Sequence, residues 1–154
     1  MSKKILLADD HMIVLNGMRS LLKDMENVEV VSEARDGLEA VHLARKFHPD
    51  LVIMDISMPH LNGIDATRKI ISENSKTKVI ALSMHSEWAY VASMLEAGAS
   101  GYLLKNCAFD ELQRAIKTVL ENRIYISDGI SGKAHKDAER NPFEDMEGPG
   151  IAFS

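Results

Sequence analysis

Carboxylates, a hydroxyl and an ammonium group stand at the ends of short, largely apolar runs in this sequence. The runs and the residues that end them are Ile5–Ala8 before Asp9 and Asp10, Leu51–Met54 before Asp55, Val79–Leu82 before Ser83, and Gly101–Leu104 before Lys105. A short continuous apolar run is typical of a strand that is buried on both faces of a parallel sheet. A carboxylate beside such a strand is costly unless it has a partner or a function. The pattern therefore predicts a polar site at the strand ends.

The chemistry of this set suits the transfer of a phosphoryl group to Asp55. Three carboxylates close together repel one another, and a divalent cation such as Mg²⁺, which prefers oxygen ligands, relieves that repulsion. Lys105 can neutralise a carboxylate or a phosphate oxygen, and Ser83 offers a hydroxyl to a phosphoryl oxygen. Asp55 would attack the phosphoryl group in line and become an aspartyl phosphate. A single aspartate at a strand end is more often a helix cap or a turn residue, but capping does not explain polar ends on four strands.

An apolar stripe at helical spacing follows each of the five predicted strands. The stripes begin near Val14, Leu38, Ile64, Trp88 and Phe109. Strict alternation of strands and helices predicts an α/β fold, in which helices cover both faces of a parallel sheet. Parallel strands end at the same edge of a sheet, so we expect the five polar groups in one crevice. The strand Val28–Ala34 carries Glu29 and Glu33, and such charges favour an edge position.

At these residues the chain resembles the receiver domain of two-component response regulators, over about residues 3–124. The marks of the resemblance are Asp9-Asp10, the segment Asp55–Gly63, Ser83 after the fourth strand, and Tyr102 three residues before Lys105. The stretches Leu82–His85 and Ala97–Lys105 resemble the branch whose members usually carry a C-terminal helix-turn-helix of the LuxR type.

The resemblance implies a flavodoxin-like, doubly wound (βα)5 sheet in the strand order 2-1-3-4-5. It implies that Asp55 accepts phosphate from a sensor histidine kinase and that Lys105 contacts this phosphate. Ser83 and Tyr102 would form a switch pair, in which Ser83 follows the phosphate inward and Tyr102 turns from an exposed to a buried orientation. The Mg²⁺ ligands that it implies are Asp9, Asp10, Asp55 and the backbone carbonyl of Ser57. Such a chain is a phosphoacceptor that supports its own phosphorylation and dephosphorylation, and is not an enzyme with external substrates.

The chain departs from the family pattern in three places. Ser83 stands where threonine is commoner, and Asn106 follows Lys105 where many receivers have a proline that the LuxR-type branch commonly lacks. The third departure is the missing output domain, since a helix-turn-helix module needs roughly 60 further residues. Regulation of transcription, and any contact with DNA, is therefore expected through a domain outside this chain. The sequence leaves open whether the chain is an excised receiver or a protein that ends here.

Composition predicts one receiver domain over residues 1–126 and a flexible linker or tail over residues 127–154. The tail holds four of the nine glycines and two of the four prolines, and shows no apolar period. Its apolar residues could instead dock on the domain or on a partner: Phe143, Met146, Ile151 and Phe153. The net charge of −5 lacks the basic footprint of a nucleic-acid-binding module. A single cysteine, Cys107, favours a reducing cytoplasm, and we expect no membrane span and no reactive role for this thiol.

Three other functions are alternatives to the phosphorylation switch. A Mg²⁺-dependent phosphatase of the haloacid dehalogenase type would need a second aspartate two residues after Asp55, where Ser57 stands. A stand-alone receiver could act by protein–protein contact, including a homodimer through the face of the fourth helix, fifth strand and fifth helix, or through another face. A docking module that no longer needs phosphate is disfavoured by the intact acidic and lysine set. His11 could be read as a metal ligand, but we expect a solvent-facing residue at the start of the first helix.

Overall fold

The computed structural model describes residues 2–106 and 108–130, and in them six parallel strands form one sheet in the order β2-β1-β3-β4-β5-β6. The strands are β1 (Lys3–Ala8), β2 (Val28–Ala34), β3 (Leu51–Asp55), β4 (Lys78–Ser83), β5 (Gly101–Leu104) and β6 (Tyr125–Ile126). The helices are α1 (Met12–Lys23), α2 (Gly37–Phe47), α3 (Gly63–Glu73), α4 (Trp88–Glu96) and α5 (Ala108–Leu120). The predicted flavodoxin-like fold and its order 2-1-3-4-5 are confirmed, with one short strand added beyond β5. The predicted edge position of β2 is also confirmed.

Alternate residues of the central strands supply two separate apolar cores. In β3, Val52 and Met54 pack with α2, α3 and α4, while Leu51 and Ile53 pack with α1 and α5. A strand that is covered on both faces must be apolar at every position, so the continuous run of β3 is explained by its place in the sheet. Each fully buried aliphatic side chain contributes about 1.5–3 kcal/mol of hydrophobic stabilisation. These two cores fix the strand ends on which the polar residues stand.

Local sequence signals place two loops beside those strand ends. Asp36 caps α2 by accepting a hydrogen bond from the backbone N–H of Glu39 at 2.7 Å, and Asn62 caps α3 in the same way through Asp65 at 2.9 Å. Gly63 begins α3 directly against β3, and a Cβ atom there would collide with the backbone carbonyl of Asp55. Glycine at this position therefore lets α3 approach the end of the strand that carries Asp55.

The sixth strand begins the segment 125–130, which we call the β6 segment. Its backbone pairs with β5, and the Ser127 N–H donates to the carbonyl of Tyr102 at 2.8 Å. Ser127 and Ile130 are buried. The packed part of the chain thus extends into residues 127–130, at the start of the tail that composition predicts. The predictions of a flexible tail and of docking apolar residues concern 131–154, outside the described residues.

A buried carboxylate on α5 holds the β6 segment in place. Glu111 accepts hydrogen bonds from the hydroxyls of Tyr125 at 2.6 Å and Ser127 at 2.7 Å, and from the backbone N–H of Asp128 at 3.4 Å. Arg114 donates to the Tyr125 hydroxyl at 2.7 Å. Burial and the neighbouring Glu111 raise the pKa of Tyr125 to about 12. The segment is therefore tied to both β5 and α5.

Candidate functional site

Two neighbouring strands bring the buried carboxylates side by side. Ala8 of β1 lies opposite Met54 of β3, so the next residues, Asp9 and Asp55, lie side by side at the carboxyl edge of the sheet. Asp9 is fully buried and Asp55 is 2% exposed, while Asp10 faces solvent. The backbone N–H of Ser57 donates to Asp55 Oδ1 at 3.2 Å, which orients this carboxylate. The structure thus places two low-exposure acids, with one solvent-facing acid, at the carboxyl edge of the sheet.

Lys105 completes the group from the far side of the crevice. Its Nζ lies 3.0 Å from Asp9 Oδ2 and 3.1 Å from Asp55 Oδ2. Two anions on one ammonium leave a net negative charge in a largely buried place. This excess negative charge attracts a cation, and it disfavours the simultaneous ionisation of both acids.

The electrostatics of the site are visible in the pKa of Asp55. Burial and the charge of Asp9 raise this pKa to about 6, against an ordinary 3.8, although Lys105 acts in the opposite direction. Burial alone would lower the pKa of Lys105, but its contacts with the two carboxylates outweigh that and raise it. At neutral pH Asp55 is therefore ionised at a cost to the fold, which is common at sites built for chemistry.

His11, which the sequence predicts to face solvent, lies in contact with the same acidic group. Nδ1 of His11 lies 2.9 Å from Asp9 Oδ1, 3.2 Å from Asp10 Oδ1 and 3.1 Å from Lys105 Nζ. Its ring is still 61% exposed, so the expectation of a solvent-facing residue is met only for part of the side chain. The sequence feature that points to this contact is the position of His11 directly after Asp9 and Asp10.

The donor set fits a hard divalent cation. One ligand atom each from Asp9, Asp10, His11 and Asp55 lies within 4.8 Å of the others. Asp9 Oδ2 is buried, and among the described residues its polar contact is the ion pair with the Lys105 ammonium. Carboxylate oxygens are the ligands that Mg²⁺ prefers. The acidic group can therefore hold the Mg²⁺ that the sequence predicts. The role of the Ser57 carbonyl as a further Mg²⁺ ligand stays a prediction.

The predicted switch pair lies next to this group, on β4 and β5. Ser83 Oγ accepts the backbone N–H of His85 at 2.9 Å, and the hydroxyl of Tyr102 donates to the carbonyl of His85 at 2.8 Å. The His85 ring stacks on Tyr90 at 3.9 Å between centroids. Tyr102 is completely buried, so the structure holds its inward orientation. Burial raises the pKa of Tyr102 to about 12, although the Ser83 hydroxyl offsets part of this rise.

The class of protein follows from this combination of a doubly wound parallel sheet and an acidic crevice with one lysine. The sequence model of the response regulator receiver domain matches residues 5–117. This chain belongs to the response regulator receiver domain family.

Similar proteins place it near DNA-binding regulators. It is 39% identical over 151 residues to the transcriptional regulatory protein DegU of Brevibacillus brevis and 41% identical over 127 residues to the response regulator UvrY of Escherichia coli K12. These matches cover 97% and 82% of this chain but only 64% and 58% of the two relatives. The chain therefore spans roughly three fifths of the length of these relatives, and corresponds to their receiver region.

Solved structures agree with this assignment. A two-component response regulator of the LuxR family from Aurantimonas sp. SI85-9A1 has a TM-score of 0.83 and 36% identity, and the match covers 90% of this chain and 99% of that chain. A structure of RcsB dimers bound to DNA has a TM-score of 0.78 and 26% identity, over 89% of this chain and 69% of that chain. The predicted membership of the LuxR-type branch is confirmed. No helix in the described residues combines the length and apolar character needed to cross a bilayer.

Proposed function

We propose that this receiver is a phosphorylation-gated switch, which takes a phosphoryl group onto Asp55 from a sensor histidine kinase. The observation that carries the proposal is the buried Asp55 carboxylate, paired at 3.1 Å with Lys105 and set beside Asp9. An oxygen of Asp55 would form a bond to phosphorus while the bond from phosphorus to the donor breaks, and the donor keeps that electron pair. The same chemistry with a small phosphodonor needs no kinase.

The side chains around Asp55 have defined tasks in this transfer. Lys105 pairs with oxygens of the entering phosphoryl group, since its ammonium already lies within hydrogen-bond distance of Asp55. Ser57 holds the carboxylate through its N–H. Asp9, Asp10 and Asp55 would hold Mg²⁺, which neutralises charge on phosphoryl oxygens when it is bound. The compartment proposed is the reducing cytosol, which the single Cys107 favours.

The output proposed is regulation of transcription by a longer protein that contains this receiver. Support comes from the relatives, which include a transcriptional regulatory protein and a regulator seen as dimers on DNA. Contact with DNA would belong to a part of that protein outside this chain, because the net charge of the chain is −5. A homodimer through the α4, β5 and α5 face or another receiver face is part of the proposal.

The phosphoacceptor is tested by intact-mass spectrometry after incubation with acetyl phosphate and Mg²⁺. Wild-type protein should gain one phosphoryl group, and Asp55→Asn should gain none because the amide is not a nucleophile for phosphorus. Asp36→Asn is the matched control, since this aspartate caps α2 outside the crevice, and it should label like wild type. Full labelling of Asp55→Asn would rule out the assigned acceptor.

Ser83→Ala should uncouple Tyr102 from the phosphorylated site while leaving Asp55 able to accept phosphate. The variant removes the acceptor of the His85 N–H, and so loosens the loop on which the Tyr102 hydroxyl rests. The measurement is fluorine NMR of fluorotyrosine-labelled protein with and without beryllofluoride, with the Tyr102 signal assigned by Tyr102→Phe. The ligand-dependent shift of that signal should fall several-fold in Ser83→Ala.

Ser86→Ala is the control for this experiment, because Ser86 is an exposed serine of the same loop. A Tyr102 signal that shifts equally in Ser83→Ala, Ser86→Ala and wild type would contradict the coupling.

A further inference from the structure

We propose that the β6 segment holds Tyr102 in its buried orientation, and that the docked segment and the inward tyrosine stabilise each other. Ile126 and Ile130 are the positioning residues, because they act on the predicted switch through Tyr102. Holding the tyrosine requires no phosphate. The mutual stabilisation rests on the proposed switch at Asp55, and would let phosphorylation of that residue strengthen the docking of the segment.

β6 covers the side of β5 on which the sheet would otherwise end. A tyrosine on an open edge strand can turn over that edge into solvent, because no neighbouring strand stands in its way. Here Ile126 lies opposite Tyr102 in the parallel register, and the Ser127 N–H donates to the Tyr102 carbonyl at 2.8 Å. Ile126 and Tyr102 belong to the same apolar core. The edge beside the tyrosine is therefore closed by backbone pairing and by an isoleucine.

The end of the β6 segment encloses the tyrosine further. Ile130 is 3% exposed and belongs to the same apolar core as Tyr102. The backbone comes close to Leu104, since a Cβ atom on Gly129 would lie 2.5 Å from Leu104 Cδ1. Leu104 and Tyr102 are two residues apart on one strand, so they face the same side of the sheet. The segment thus runs along the flank of Tyr102 from Ile126 to Ile130.

The tip of the tyrosine ring is fixed separately from its flank. The Tyr102 hydroxyl donates to the carbonyl of His85 at 2.8 Å, in the loop that follows Ser83. An outward turn would break this hydrogen bond, and would also need the space that the β6 segment occupies. Loss of the segment should therefore make the outward turn easier while the hydrogen bond is still available.

Docking of the β6 segment can respond to the tyrosine because the segment is short and peripheral. The strand β6 has 2 residues, and the backbone N–H groups of Tyr125 and Ser127 donate to the carbonyls of Ser100 and Tyr102. Glu111 of α5 adds the contacts to the two hydroxyls of the segment. Peripheral segments open locally at much less cost than global unfolding. Coupling is reciprocal, so a change that favours the inward tyrosine favours the docked segment by the same factor.

Fluorine NMR of the fluorotyrosine-labelled full chain tests the holding role without any phosphate analogue. A soluble paramagnetic agent broadens the signals of exposed rings, and the Tyr102 signal is assigned with Tyr102→Phe. Ile130→Asp should increase this broadening at least about fivefold over wild type, which is the lower end of typical coupling between sites. Gly129→Val should do the same by a different means, because its side chain collides with Leu104.

Ile13→Asp is the matched control, since it makes the same change at an isoleucine that is 82% exposed on α1. Its Tyr102 signal should be as protected as in wild type. Because the two test variants displace the segment in different ways, increased broadening in either one supports the holding role. A Tyr102 signal that stays protected in both variants would overturn it.

Hydrogen-exchange mass spectrometry with beryllofluoride and Mg²⁺ tests the mutual stabilisation. In wild type the ligand should slow exchange of residues 125–130 at least about fivefold. Tyr102→Phe should lose most of this slowing, because the ring no longer donates to the His85 carbonyl. Tyr90→Phe is the control, since it keeps the ring that stacks on His85, and should retain the slowing. Equal slowing in wild type and Tyr102→Phe would contradict the coupling.

The fluorine signal of bound beryllofluoride separates this result from the proposed function. If wild-type protein binds no beryllofluoride, the proposed phosphoacceptor site falls, and the ligand-free NMR experiment still decides whether the β6 segment holds Tyr102. If beryllofluoride binds and exchange of residues 125–130 is unchanged, only the mutual stabilisation falls.

Discussion

Asp55→Asn should raise the free energy of unfolding at neutral pH by about 2–3 kcal/mol when it is measured in EDTA. The pKa of Asp55 is raised to about 6 in the folded protein, against 3.8 ordinarily, chiefly by burial and by the charge of Asp9. Asparagine has nearly the shape of aspartate and carries no charge, so the folded variant avoids that penalty. Urea denaturation monitored by circular dichroism gives the comparison directly.

The pH dependence of this effect has a defined sign. Well below pH 3.8 the Asp55 carboxyl is protonated in both the folded and the unfolded state and contributes no difference between variant and wild type. As pH rises toward about 6 the unfolded chain ionises first, because its pKa is the lower one, and wild-type stability falls. The advantage of Asp55→Asn should therefore grow between about pH 4 and pH 7 and then level off.

Asp10→Asn is the control for the charge effect, because Asp10 belongs to the same acidic group but faces solvent. Solvent screens its charge, so this variant should change stability by at most about 1 kcal/mol. Added Mg²⁺ should stabilise wild type more than Asp55→Asn, and should therefore reduce the difference in free energy of unfolding between the two proteins. A gap that stays constant down to about pH 4 would show that ionisation of Asp55 is not its cause.

Glu111→Ala should lower the free energy of unfolding by about 3 kcal/mol and release the β6 segment. The substitution removes the acceptor of the Tyr125 and Ser127 hydroxyls, and Ser127 is fully buried. Tyr125 can turn toward Arg114 or water, but the Ser127 hydroxyl is left without its partner. Hydrogen-exchange mass spectrometry should show faster exchange of residues 125–130.

The control is Asp110→Ala, which makes a similar change at an exposed residue of the same helix turn. It should lower stability by about 1 kcal/mol or less, through the lost charge near the start of α5, and leave exchange of the β6 segment unchanged. Equal protection of the segment in Glu111→Ala and wild type would show that its pairing with β5 suffices.

The fold was predictable because its strongest signals are local. The uninterrupted run Leu51–Met54 can be satisfied only between two covered faces, and Glu29 and Glu33 suit an edge strand. The two residues of β6 have no period, so no sequence pattern indicates them. Their position depends on the distant Glu111, which reads in sequence as an ordinary solvent-facing glutamate of an amphipathic helix.

The candidate site was predictable as a set of residue types, but its geometry was not. Strand ends predict that Asp9, Asp55 and Lys105 share a crevice, and the structure places Lys105 within 3.1 Å of Asp55 Oδ2. The rotamer of His11, by contrast, depends on the balance of contacts in the folded crevice. The inward orientation of Tyr102 depends likewise on the loop carbonyl that it reaches, and sequence spacing does not encode either choice.

The pairing of the β6 segment with β5 connects the strand that carries Tyr102 to the C-terminal end of the described residues. The Ser127 N–H donates a hydrogen bond to the carbonyl of Tyr102 itself, at 2.8 Å, so the β6 segment is joined to the strand of the predicted switch tyrosine. A shift of β5 by a fraction of an ångström would therefore move the β6 segment with it. We expect such a movement to change the direction in which the chain leaves the sheet at the β6 segment.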